Sequence, residues 1–267
     1  MSAELTRREL SDHRRALAGW CLGIVAYVAM VTAIFPSIQS SPDFDKLVEN
    51  YPEILKSLFG ISGAGSITSG AGYLDVELFS FMLPLLVLVL AIGAGARTFA
   101  GEEDAGRLEL VLAYPTRRRS AVLAKGAAVA LEVVAVCAVI GLTLALLDPV
   151  FDLELSGRRL VAALVTVATL GLFHGWLALG VGGAVPSRAL AIGVPAALAA
   201  GGYLVGGLHG IAGWLDPFRF LSPFWLVGSS PLQRGADTAG VIAVLAAACV
   251  ALVLGALLAE RRDLQTP

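Results

Sequence analysis

Charge, lysine and cysteine are all scarce in this sequence, and each shortage excludes something. Charged residues fill 15% of the 267 positions, where soluble domains run near a quarter. Hydrophobic residues fill 57%, so composition alone indicates a membrane protein rather than one or two soluble domains. The three cysteines, Cys21, Cys137 and Cys249, lie in apolar runs without short spacing, which argues against a disulfide framework or a zinc site. Buried, inert thiols are the expectation. The three lysines, Lys46, Lys56 and Lys125, stand outside any G-x-x-x-x-G-K-[ST] pattern, so the chain carries no nucleotide-binding loop of that type. No H-E-x-x-H, C-x-x-C or G-x-S-x-G is present, and no enzyme site emerges. A net charge of −2 gives no reason to expect nucleic acid as a partner.

What the sequence does have is apolar length. A membrane-spanning helix needs about 20 mostly apolar residues. Six stretches qualify: 16–35, 78–96, 126–147, 160–185, 189–208 and 239–259. The first follows Arg14 and Arg15 as a signal peptide would. Its apolar run is too long for a signal core and lacks a small-x-small cleavage site before Pro36, so a retained span is expected. Placing the N-terminus in the cytoplasm puts 13 lysines and arginines inside and 6 outside, which favours both termini inside. The segment "ELTRRELSDHRRALAGW" can lie along the inner surface as an amphipathic helix, or serve as a plain positive flank to the first span.

The connections are uneven. An outer loop is expected at 36–77, with one or two short amphipathic helices in "DFDKLVENYPEILKSLFG" and a flexible connector in "GISGAGSITSGAG". The fourth and fifth spans are joined by little more than "PSR" and should be antiparallel neighbours. A second outer segment, 209–238, is aromatic and broken by Pro217, Pro223 and Pro231. It is too interrupted to span, and short helices dipping into the outer leaflet suit it. Pro84 and Pro195 fall within spans, where kinks are expected.

Between the second and third spans lies the densest charge in the chain, within segment 97–119. Glu102, Glu103 and Asp104 come first and Arg117, Arg118 and Arg119 last, an order that suits a helix dipole. Glu103 and Arg107 are spaced i,i+4, Leu108, Val111 and Leu112 share one face, and Pro115 ends the pattern. A solvated loop would account for the arginines. A docking helix for a cytoplasmic partner would also account for the leucines and the tight acid cluster.

This segment, "AGEEDAGRLELVLAYPTRRRSAVLAKG", resembles the cytoplasmic segment of type-2 ATP-binding-cassette exporter permeases. The matching residues are Glu102 and Glu103, Gly106, "LELVL", Pro115 with Arg118, and Lys125. The likeness extends to "FRFLSPFWLVGSSPLQRG" before the last span and "RRDL" after it. The resemblance implies an all-α membrane protein, one permease domain over 1–267. It would have six transmembrane helices, a cytoplasmic coupling helix and a re-entrant outer segment before the last span. It implies a subunit in the plasma membrane of a prokaryote, paired with a second permease copy. A separate cytoplasmic ATPase would bind ATP and Mg, dock on Glu102, Glu103, Gly106, Arg107, Leu108, Glu109, Leu112, Pro115 and Arg118, and drive export. No cofactor belongs to this chain. Spans with so few charges suit a hydrophobic or amphipathic cargo such as a drug, antibiotic or lipid-like molecule.

Two ionisable residues fall inside spans. Glu132 lies in the third and His174 in the middle of the fourth. They can form a proton or substrate relay, or Glu132 can pair with Lys125 or Arg97 while His174 hydrogen-bonds within the bundle. The relay underlies one alternative, an ion-coupled secondary carrier. A non-transporting membrane scaffold is the other.

Overall fold

The computed structural model describes residues 2–41, 50–61, 67–98 and 118–261. The segment 99–117, with the docking residues from Glu102 to Pro115, lies outside the described residues. So does 42–49, which holds part of the first amphipathic pattern. Among the described residues the chain is helical and contains no strand. Six helices are long and apolar enough to cross a membrane, one for each apolar run.

These helices are longer than the runs. Helix α1 covers Ser2–Gln39 without a break, so the N-terminal arginine-rich stretch continues the first span rather than forming a separate surface helix. Hydropathy marks where hydrocarbon begins, whereas a helix ends only where something stops its hydrogen bonding. Nothing before Pro36 does so. The outer loop expected at 36–77 is correspondingly shorter. It holds a short helix α2 (Glu53–Leu58), and helical structure resumes at α3 (Gly70–Leu74).

The tail of the supposed flexible connector is therefore packed structure. Ser69 caps α3 by accepting the Gly72 N–H at 3.1 Å, and Gly70 lies against the Leu153 backbone, where a Cβ would collide. Glycine serves close approach at this position, not flexibility. A π-helical turn, Asp75–Phe79, and two further residues lead into α4 (Met82–Thr98). Pro84 stands in the first turn of α4, where a missing N–H costs least.

Helix α5 runs from Arg118 to Phe151 and keeps Pro149 inside its last turn. Asp148 then accepts the Leu155 N–H at 3.1 Å across a turn in which Asp152 and Glu154 have positive φ. Helix α6 (Gly157–Ala184) and α7 (Arg188–Leu208) are joined through Ser187, whose hydroxyl caps α7 at the Leu190 N–H. The aromatic segment folds into a 3₁₀ helix at Gly213–Leu221, then α8 (Pro223–Val227) and α9 (Pro231–Arg234). Helix α10, Thr238–Arg261, closes the described chain.

Helix α6 is the hub. It packs on α4 and α10 most extensively, and also on α5, α7 and α9, while α1 lies against α5. Leucine side chains are no more apolar than lipid tails, so close packing must hold such helices together. The α6–α10 seam meets that need with glycine. Gly255 sits against the Gly180 backbone, and Gly183 against the Gly255 carbonyl. Helix α7 is the least enclosed span, with 11% of its most apolar window buried, so most of its surface faces outward.

We expect Gly255→Leu to lower stability by about 1–3 kcal/mol, because backbone on the facing helix cannot yield as a side chain would. Gly193→Leu, on an open face of α7, should be close to neutral. Thermal unfolding of the two variants in the same detergent checks the difference.

Candidate functional site

The bundle has two regions of different chemistry. One end gathers the close of α4, the start of α5 and the close of α10. Arg97, in the last turn of α4, reaches Glu132 of α5 at 3.9 Å. The Glu132 side chain is 5% exposed and that of Arg97 35%, so this pair is partly shielded from water. Lys125, one helical stretch earlier on α5, is also buried. Arg119 meets Glu260 of α10 at 3.5 Å on the surface. Such an exposed pair is worth about 0–1 kcal/mol, so its importance is positional. Trp176 of α6 donates its indole N–H to the Gly126 carbonyl at 2.9 Å, tying α6 to the same region. The segment 99–117 leaves and re-enters the bundle here. Of its expected docking residues, only Arg118 is described, as the first residue of α5.

His174 is fully buried within α6. Its Nδ1 is 2.8 Å from the Leu170 carbonyl of the same helix, and its ring packs against Phe173 and Phe224. Its Nε2 is buried without a hydrogen-bond partner among the described residues. The partner of Glu132 described above is Arg97, and the neighbours of His174 are aromatic.

The opposite end holds residues that sequence reading passed over. Asp75, on the π-helical turn before α4, is fully buried. Its two carboxylate oxygens accept the N–H groups of Leu232, at 2.9 Å, and Gln233, at 3.0 Å. Those amides follow Pro231, which has none to offer, in the first turn of α9, and the Gln233 N–H is shared with the Ser230 carbonyl at 3.1 Å. A carboxylate 157 residues away thus caps this helix and sits at the positive end of its dipole. Ser222 acts similarly. It accepts the Trp225 N–H at 3.1 Å and donates to the Gly202 carbonyl at 2.6 Å, binding α8 to α7. Tyr203 of α7 donates to the Leu58 carbonyl and Ser57 to the Gly207 carbonyl, which fastens α2 to α7.

Beside these contacts lies an open cavity of about 530 Å³, lined from α2, the π-helical turn, α4, α6, α7, α8 and α9. Its lining combines aromatic residues, Phe79, Tyr203, Phe224 and Trp225, with polar ones that include Ser229, Ser230, Arg234 and Asp237. An apolar groove of about 570 Å³ lies elsewhere, between α1 and α4, along Gly19, Gly23, Tyr27 and Leu86. Among the described residues no cluster of three His, Cys, Asp or Glu side chains is placed to hold a metal.

Comparison with known families agrees with this architecture. Residues 10–259 match the family described as multidrug efflux system permease Rv1217c, C-terminal domain. The chain belongs to that family, and is therefore a multi-pass membrane protein and a permease of an efflux system. No match was found among curated proteins.

We expect Asp75→Ala to release α9, at a cost of about 1.5–3 kcal/mol for charge-assisted hydrogen bonds lost from a buried site. Amide exchange at Leu232 and Gln233 should accelerate, while exchange at the Ser222-capped Trp225 should change little. Hydrogen exchange read by mass spectrometry checks both.

Proposed function

We propose that this efflux permease is the membrane subunit of a type-2 ATP-binding-cassette exporter. A separate ATPase docks on the 102–118 segment, and a second permease copy completes the pathway. The end bearing Arg97, Arg119 and Arg188 faces the cytoplasm, as positive residues favour, in the plasma membrane of a prokaryote. Cargo is hydrophobic or amphipathic, in keeping with multidrug efflux by the family and with spans nearly free of charge.

The observation that carries this reading is where the charged segment is attached. It joins α4 to α5 at the end where Arg97 contacts Glu132 and Arg119 contacts Glu260. A docked ATPase moving the segment would pull on both helices at once, and through Glu260 on α10. The α6–α10 glycine seam then carries that motion into the bundle as a rigid unit, since packed cores shift between discrete arrangements rather than deform smoothly. ATP hydrolysis is left to the partner, because this chain has no nucleotide-binding loop. Arg97 and Glu132 act as a positioning pair in this account, not as a relay.

The test is recovery of a Walker-type ATPase with the tagged chain from its native membranes. We expect Glu103→Lys and Leu108→Asp each to reduce recovery about tenfold, as loss of a central interface residue does, with the melting temperature unchanged. Recovery of the chain alone, under conditions that keep other membrane complexes intact, would turn the reading to a carrier worked by Glu132 and His174.

A further inference from the structure

We propose that the cavity at the Asp75 end binds an anionic amphiphile, with its head group held by Arg234 and Ser230 and its apolar body against Tyr203, Phe224 and Trp225. The site lies within one chain and does not depend on ATPase docking.

Size and preorganisation come first. A volume of about 530 Å³ falls in the range of small-molecule sites. The aromatic wall is fixed without a ligand. Tyr203 and Phe224 meet edge to face at 5.6 Å, Phe81 backs Tyr203 at 5.3 Å, and the Tyr203 hydroxyl is anchored on the Leu58 carbonyl. Rings held this way offer apolar contact without first having to be ordered.

The polar groups give the sign of the head group. Ser230 lines the cavity at 2% exposure, and its hydroxyl has no hydrogen-bond partner among the described residues. It also sits in the left-handed backbone region, at φ 54°. A buried hydroxyl left unpaired is unfavourable until something completes it. Four residues on, Arg234 lines the rim, exposed, and no ion pair to it is found among the described residues. The cavity's lining carboxylate, Asp237, is exposed and keeps its charge, but it is held toward the start of α10. Its Oδ1 accepts the Gly240 N–H at 3.0 Å, at the positive end of α10. His209 is similarly engaged, through Nδ1 to the Gly206 carbonyl at 3.1 Å. An exposed guanidinium with no ion pair among the described residues and a buried, unpaired hydroxyl therefore stand beside aromatic rings. That combination fits a carboxylate, sulfate or phosphate on an apolar chain or ring.

The test uses the full chain in phosphatidylcholine nanodiscs, without any ATPase. The probe is 11-(dansylamino)undecanoate, read by energy transfer from Trp225 and corrected against empty discs, with Trp225→Phe as the control for the signal. We expect saturable binding, about tenfold weaker for the methyl ester and for Arg234→Gln, the loss expected of one charge-assisted contact. Ser229→Phe, which fills the rim, should abolish it, and Arg158→Gln, a cation elsewhere on the surface, should leave it unchanged. Equal affinity for acid and ester, Arg234→Gln no different from Arg158→Gln, or full binding by Ser229→Phe would each overturn the proposal. Competition by phosphatidylglycerol added to the disc identifies the natural occupant as a membrane lipid. Competition by free dodecanoate alone identifies an amphiphile reaching the site from water. Either result supports the anionic site.

Discussion

Hydrocarbon offers backbone groups nothing to bond with, and the architecture follows from that constraint. Within each span the helix satisfies its own amides. The difficulty arises where helices break, at 75–81 and again from 209 to 237. There the chain uses side chains, several of them from distant elements. Asp75 caps α9, Ser222 caps α8 and binds α7, and Tyr203 and Ser57 tie α2 to α7. Tyr73 likewise donates to the Val31 carbonyl of α1 at 3.0 Å. The broken segment is an ordered assembly for this reason, and the cavity is the space left between its members.

The two ends answer to different physics. One gathers charges where α4, α5 and α10 meet, with modest individual energies but positions that join three helices. The other gathers rings and backbone caps around an apolar space. Between them the α6–α10 seam relies on glycine, since backbone contact is what helices gain from packing when side-chain burial gives no advantage over lipid.

The spans were legible in the sequence because a run of about 20 apolar residues matches the thickness of hydrocarbon and exceeds what a soluble core requires. Their lengths were not, since hydropathy says nothing about turns that extend past the hydrocarbon. The short link "PSR" was legible as a tight turn, and Ser187 supplies its cap. At the tail of "GISGAGSITSGAG" composition does not separate flexibility from close approach, and Gly70 packs on Leu153, while 62–66 lie outside the described residues. Arg97 was legible as a candidate partner for Glu132 from charge alone, although the distance was not. Asp75 was invisible. Its partners are backbone amides 157 and 158 residues away, and an amide leaves no mark on sequence. One signal did exist: Asp75 lies three residues before an apolar run, where an acid has reason to be held by something.

The central claim is that the charged segment between α4 and α5 is a docking element for an ATPase. A photo-crosslinking amino acid at Leu108, activated in native membranes, tests it most directly. The account requires a single major adduct that mass spectrometry identifies as a Walker-type ATPase, formed on the face that Leu108 shares with Leu112 and absent when the label is placed at Leu22 on the outward face of α1. Labelling at Leu108 that yields only lipid or water adducts, in cells where the transporter is active, would contradict it.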